Sequence, residues 1–181
     1  MRRQSGSARR YADALFGLAV ERDTLDAWAG ELQRIGAVAD DPTALRILAG
    51  PRVSLEQKRR VIESLAGPLS REVVSLTRIL LERKRIELFP GVAEAFVDRL
   101  RAHRGIALAE LTTAVELAES ERRLIAERLE QRLGRSVEVE ARVDPAIIGG
   151  VMVRVGDQLF DASVRGKLES LRKRLVGARS G

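Results

Sequence analysis

The 181-residue chain contains one histidine, His103, and no cysteine. Those two counts narrow the chemistry open to it. Without thiolates there is no disulfide framework, no zinc-thiolate site and no cysteine nucleophile, a composition that suits a reducing compartment. His103 stands in the run Arg101-Ala-His-Arg104 with no serine or carboxylate at a motif spacing, so it reads as a solvated helix-end residue rather than a general base. Asp144, Asp157 and Asp161 fall at the ends of short strand-like segments. Carboxylates so placed could converge on a hard cation, or simply serve the turns that favour Asp. Gly149-Gly150 precede an apolar run instead of leading from a strand into a helix, which fits a turn or bulge better than a phosphate-cradling loop. There is no Walker, G-x-S-x-G or H-E-x-x-H pattern. Phe160 is the one aromatic of the C-terminal part, too few for a base-stacking platform. The expectation is a protein with no catalytic, metal-binding or cofactor-binding residues.

The elements that would position any site change character along the chain. In the first hundred residues, Pro and Gly punctuate helical patterns. Ser7 can cap a helix to about Arg22, and Thr24 a second to about Asp40. Asp41-Pro42 starts a short third that stops at Gly50-Pro51. Ser54 with Gln57 is a capping-box pattern for a fourth, ending near Gly67-Pro68. Ser70 opens a fifth reaching about Arg85, and Pro90 a sixth that stops at Gly105. Beyond it, Ala107–Leu117 is β-compatible, Glu119–Leu133 returns to helix, and Val137, Val139, Ala141 and Val143 alternate with charged residues as in a half-exposed strand. Residues 150–155 and 158–161 form two short strands joined at Gly156-Asp157, and Ser163 begins a last helix carrying Val164, Leu168, Leu171 and Leu175. The predicted fold class is α plus α/β: a six-helix N-terminal bundle over residues 1–104, then a small α/β domain over 105–181.

The net charge of +6 is unevenly placed. Residues 1–10 carry four arginines and no acid, and residues 165–181 carry six basic residues against Glu169, leaving a slightly acidic body. Basic ends can meet nucleic acid or an anionic surface, but only Lys58, Lys84, Lys167 and Lys173 among the 32 cations are lysine, and such an arginine bias can come from genome composition alone. No stretch approaches the roughly 18 apolar residues of a membrane span. The N-terminus has no apolar core or small-residue cleavage site and reads as a mature cytoplasmic start.

Two helices carry more apolar surface than one core requires. A helix covering a single core shows a stripe somewhat over 100° wide. In the first helix Tyr11, Ala12, Leu15, Phe16, Leu18, Ala19 and Val20 sweep roughly 200°, and in the fifth Val73, Val74, Leu76, Ile79, Leu80 and Leu81 sweep roughly 220°. Either both helices are central and touch neighbours on two sides, or they stand side by side and offer a groove to another chain's amphipathic helix.

Ala8-Arg-Arg-Tyr-Ala-Asp-Ala-Leu-Phe16 resembles the opening of the delta subunit of bacterial F-type ATP synthase, the relative of the mitochondrial oligomycin sensitivity-conferring protein. Val143-Asp-Pro-Ala-Ile-Ile-Gly-Gly-Val-Met-Val-Arg-Val-Gly-Asp157, followed by Asp161-Ala-Ser-Val-Arg-Gly-Lys-Leu168, is similar to that family's signature nearly residue by residue. Within it Gly149, Gly150, Gly156, Asp157, Asp161 and Arg165 are the signature positions; the two glycine sites permit bends, and Asp161 or Ser163 can cap the last helix. One departure is Glu82-Arg-Lys-Arg-Ile-Glu-Leu-Phe-Pro90, where many members have Asn or Gly near the turn.

The resemblance implies a stator part, present as one copy per complex, with no catalysis and no cofactor of its own. Its N-terminal domain would grip the N-terminal helix of an alpha subunit of the catalytic head, and its C-terminal domain the end of the peripheral stalk formed by subunit b. It implies no nucleic-acid partner, and a peripheral place on the cytoplasmic face of the bacterial plasma membrane. The family's groove lies between the first and fifth helices, which maps onto Tyr11, Ala14, Leu15 and Leu18 with Val73, Leu76, Ile79 and Leu80. The basic run Arg172-Lys-Arg174 would either meet acidic stalk residues or remain a solvated helix face.

Overall fold

The computed structural model describes residues 6–147 and 149–164. Within them are seven helices, α1 (Gly6–Glu21), α2 (Leu25–Asp40), α3 (Pro42–Ala49), α4 (Leu55–Ala66), α5 (Arg71–Glu82), α6 (Phe89–His103) and α7 (Glu119–Leu133). The four strands are β1 (Ala107–Thr113), β2 (Val137–Val143), β3 (Val151–Val155) and β4 (Gln158–Asp161). The chain divides into two compact units, Met1–Leu100 and Arg101–Gly181, each with its own hydrophobic core. The helix expected from Ser163, with Arg165, Leu168, Leu171, Leu175 and Arg172-Lys-Arg174, lies outside the described residues beyond Val164.

In the first unit, helices α1 to α6 all contribute to one core, in which Leu32, Ile35, Leu48, Ile62, Val73, Leu80, Phe89 and Phe96 are fully buried. Local chemistry sets most of the helix ends. The Asp41 carboxylate accepts the backbone N–H groups of Thr43 and Ala44 at 2.9 and 2.7 Å, satisfying two donors that the first turn of α3 leaves open. Ser54 and Gln57 form the reciprocal capping box at α4.

Several expected ends are built differently. Ser7 lies inside α1, whose first residue is Gly6, so it is not the cap. Thr24 does precede α2, but its hydroxyl makes no capping bond and is buried with no partner among the described residues. Ser70 precedes α5 without capping it, because its N–H and hydroxyl both donate to Glu31 of α2, at 2.7 and 2.8 Å. Arg34, also on α2, donates to the carbonyls of Ala66 and Pro68, so the α4–α5 connection is fastened from both sides.

Helix α5 stops at Glu82 instead of running on to Arg85. The N–H of Lys84 donates to Leu81 and that of Arg85 to Leu80, the paired bonds that close a helix through a left-handed residue. Lys84 is that residue, with φ +54°. A 3-10 turn, Ile86–Leu88, then leads into α6.

The second unit holds a four-stranded sheet in the order β2-β1-β3-β4. Strands β1 and β2 run parallel with α7 between them in sequence, while β1 pairs antiparallel with β3 and β3 with β4. The parallel pair needs a long crossover, which α7 supplies, and Gly156-Asp157 closes the tight β3–β4 turn. Ala107, Ala109 and Leu111 of β1 point into a core that Ile125, Leu129 and Leu133 of α7 cover. Strand β1 ends at Thr113, short of the expected Leu117, where the Thr113 hydroxyl donates to the Val115 carbonyl at 2.7 Å and the chain leaves the sheet. Glu121 accepts the Ala118 N–H at the start of α7, and left-handed Gly134 ends it.

Candidate partner-binding face

The surplus apolar surface of α1 and α5 resolves into distinct sides. On α1, Ala8, Ala12, Leu15 and Ala19 repeat at helical spacing and are buried in the core. Phe16 turns to α6 and meets Phe96 edge to face, with centroids 5.4 Å apart, while Asp13 accepts from Arg99 of the same helix at 2.7 Å. Tyr11, Ala14 and Leu18 stand on the remaining side. Tyr11 is half-buried against the core, Ala14 is exposed and Leu18 is 40% exposed.

Helix α5 divides in the same way. Val73 and Leu80 are fully buried. Val74, Thr77 and Leu81 face α4, where with Leu55, Ile62 and Leu69 they line a hollow of about 260 Å³ rimmed by Glu56, Arg59, Glu63, Arg78 and Glu82. Arg59 pairs there with Glu56 and Glu63, and its hydrogen bond is the main reason the Glu56 carboxyl titrates below its ordinary value. Leu76 and Ile79 occupy the third side; Leu76 is 6% exposed and Ile79 is 38% exposed.

One ion pair links the two helices at an end of each free side. Arg22 follows α1 on the stripe of Tyr11, Ala14 and Leu18, at the spacing i, i+3, i+7, i+11. Glu72 precedes Leu76 and Ile79 on theirs, at i, i+4, i+7. The Arg22 guanidinium binds the Glu72 carboxylate, so each apolar stripe ends on a charge held by the other. Of the eight positions mapped from the sequence, Leu15, Val73, Leu76 and Leu80 are buried in the core cluster, whereas Tyr11, Ala14, Leu18 and Ile79 retain surface. Arg22 and Glu72 were missed by sequence reasoning, although extending the two stripes by one turn would have reached them.

The signature positions of the second unit have backbone roles. Gly150 has φ +86°, and a Cβ there would lie 2.6 Å from the Ala162 carbonyl oxygen and 2.8 Å from Ser163 Cα. Gly149 has no such φ; a Cβ on it would meet Val164 Cγ2 at 3.4 Å. The strand ends are stitched across this close approach by Ala162 N–H to Val151 O and Val164 N–H to Gly149 O. The Asp161 carboxylate accepts the Ser163 N–H at 2.8 Å, and hydrogen bonding to Ser163 holds its pKa below the ordinary value. Gly156, with φ +56°, and exposed Asp157 form the hairpin turn; Arg165 lies outside the described residues.

No three acidic or histidine residues are grouped to hold a metal ion among the described residues. Asp144 and Asp161 are engaged with nearby backbone N–H groups, those of Ala146 and Ser163. Phe160 packs in the second core with the Arg132 guanidinium over its ring, 4.8 Å from the centroid. No described helix is long and apolar enough to cross a membrane.

The two-part architecture, helices followed by a small mixed sheet, has a counterpart in a solved structure. A chain of the cryo-EM structure of the Toxoplasma gondii mitochondrial ATP synthase hexamer shares this fold with a TM-score of 0.72, at 23% identity, over 95% of this chain and 98% of that one. The model of the ATP synthase delta (OSCP) subunit family matches residues 8–175. The ATP synthase delta subunit of an Anaeromyxobacter dehalogenans strain is 40% identical over 171 residues, covering 93% of this chain and 96% of that protein. That of a Geobacillus strain is 36% identical over 172 residues, covering 94% and 97%. The chain belongs to the ATP synthase delta (OSCP) subunit family. As such it is a structural subunit of the F-type complex and not itself a catalyst.

Proposed function

We propose that this chain is a stator subunit linking the alpha subunits of the catalytic head to the b subunits of the peripheral stalk, so that rotor torque drives ATP synthesis instead of turning the head. The helices of the first unit act as one six-helix bundle over residues 1–104. They hold the N-terminal helix of an alpha subunit between α1 and α5, against Tyr11, Ala14, Leu18 and Ile79, with Leu15, Val73, Leu76 and Leu80 as the packed floor beneath. The α/β domain, residues 105–181, holds the end of subunit b. One copy works per complex, at the cytoplasmic face of the bacterial plasma membrane and attached through the complex, without cofactor or nucleic acid.

The observation that supports this reading is the Arg22–Glu72 pair, which ties the end of α1 to the first turn of α5 in a protein of this family whose Leu18 and Ile79 keep exposed surface. An apolar groove of that kind suits an amphipathic helix. The test is calorimetric titration of the full chain with a synthetic peptide of about the first twenty residues of the alpha subunit from the same complex. One-to-one submicromolar binding with a negative heat-capacity change is expected, lost on Ile79→Glu. Absence of binding by the folded protein, or binding indifferent to Ile79→Glu, would overturn the groove.

A further inference from the structure

The apolar stripe of α5 has unlike ends. Glu72, Leu76 and Ile79 continue at the same spacing to Arg83, so the stripe begins on a carboxylate and finishes on a cation. At the first end the charge is cancelled, because Glu72 is bound by Arg22. About 16 Å further along the helix, Arg83, Lys84 and Arg85 follow one another in the turn that closes α5, all exposed. None of the three has a hydrogen-bonded or ion-paired side chain among the described residues, while the neighbouring Arg78 and Glu82 satisfy each other. Two main-chain bonds, Lys84 N–H to Leu81 O and Arg85 N–H to Leu80 O, fix the turn that carries them. A preset, uncompensated cluster of cations lies at one end of the apolar stripe, and a neutralised pair at the other.

We infer that the groove reads the direction of its helix by charge: the occupant is an amphipathic helix carrying carboxylates at the end that lies over Arg83, Lys84 and Arg85. This rests on the groove reading above and adds to it an orientation and a partner chemistry. Apolar burial gives a helix little reason to prefer one direction over its reverse, because leucine-like side chains fill a groove either way. Carboxylates placed against exposed cations at one end remove that ambiguity, speed encounter, and act less as salt is raised.

The experiment titrates the full chain with the alpha-subunit N-terminal peptide at low and at high salt, for wild type, for Arg83→Glu combined with Arg85→Glu, and for Ile79→Glu. Thermal melts check that each variant is folded; Arg83 and Arg85 are exposed, and Lys84 is left in place to keep the turn. The double reversal is expected to weaken binding by about tenfold or more at low salt and by much less at high salt. Ile79→Glu is expected to weaken it at both. A peptide with its acidic residues moved to the opposite end should bind wild type more weakly and ignore the reversal. Equal binding of wild type and the double reversal at low salt, with Ile79→Glu still defective, overturns the charge reading and leaves the groove standing. Loss of effect for Ile79→Glu as well overturns the groove itself, and the inference with it.

Discussion

Arg22, just past the last residue of α1, pairs with Glu72 in the first turn of α5, fifty positions away in the chain. Both ends are partly open to solvent, so the pair itself adds little to stability, of order 0–1 kcal/mol. Its importance is positional, because it ties the end of α1 to the first turn of α5. Leu18→Glu should leave the fold within about 1 kcal/mol of wild type, since the position already meets water. Leu80→Ala removes a fully buried side chain and should cost about 2–5 kcal/mol. Denaturant melts of the two variants decide it; equal loss would mean that Leu18 belongs to the core.

Lys84 occupies the left-handed position that closes α5, where a lysine side chain crowds its own backbone. The left-handed conformation at this turn suits Asn or Gly better than lysine. Lys84→Gly should raise stability by about 0.5–1 kcal/mol, read as a higher melting temperature. A loss of stability would show that the lysine makes good its strain elsewhere.

Gly150 and Gly149 are adjacent but not equivalent. Alanine at Gly150 must be accommodated against the backbone of Ala162 and Ser163 at a φ that side chains avoid, and should cost roughly 2–4 kcal/mol. Alanine at Gly149 meets one methyl group at 3.4 Å and should cost less than about 1 kcal/mol. Comparing their melts separates backbone need from a general preference for small residues.

Arg101, in the last turn of α6 and only 15% exposed, donates to both carboxylate oxygens of Glu138 at 2.8 and 3.0 Å and to Glu140 at 3.1 Å. This charge-assisted fork holds the Glu138 carboxyl below its ordinary pKa of 4.5. A carboxyl that titrates lower folded than unfolded stabilises the protein above its unfolded pKa, and that contribution fades as pH falls through the folded value. Arg101→Ala should thus cost stability at pH 7, and the difference from wild type should shrink as pH drops below about 4.5. With the Glu138 side chain half exposed, Glu138→Gln should cost no more than about 1 kcal/mol at pH 7. A difference that persists unchanged at pH 3 would assign Arg101 a packing role instead.

Much of the fold was legible because its punctuation is local. Asp41-Pro42, Ser54 with Gln57, Gly105 and Gly134 act within a few residues of themselves, and the helices they bound lie where those residues put them. Reading failed where a distant group intervened. Ser70 has the right chemistry for a cap, yet Glu31 of another helix takes its hydroxyl and N–H. The Thr24 hydroxyl is turned inward and caps nothing, and the end of α5 is decided by a strained lysine that no propensity favours. The apolar arcs of α1 and α5 announced extra contacts without saying which, because a stripe shows that a side is greasy and not who meets it. Part of the excess on α5 went to α4, which periodicity alone could not reveal.

Strand β1 is an inner strand of its sheet although it is the first to be synthesised. Its neighbours come later, β2 after α7 and β3 later still. A nascent chain therefore finishes the first unit, then exposes Ala107–Thr113 with two open edges and nothing to pair with. An apolar strand in that condition is an invitation to aggregate until Val155 is made. Translation stalled between β1 and β3 would leave one folded unit tethered to a sticky one, a hazard written into the strand order itself.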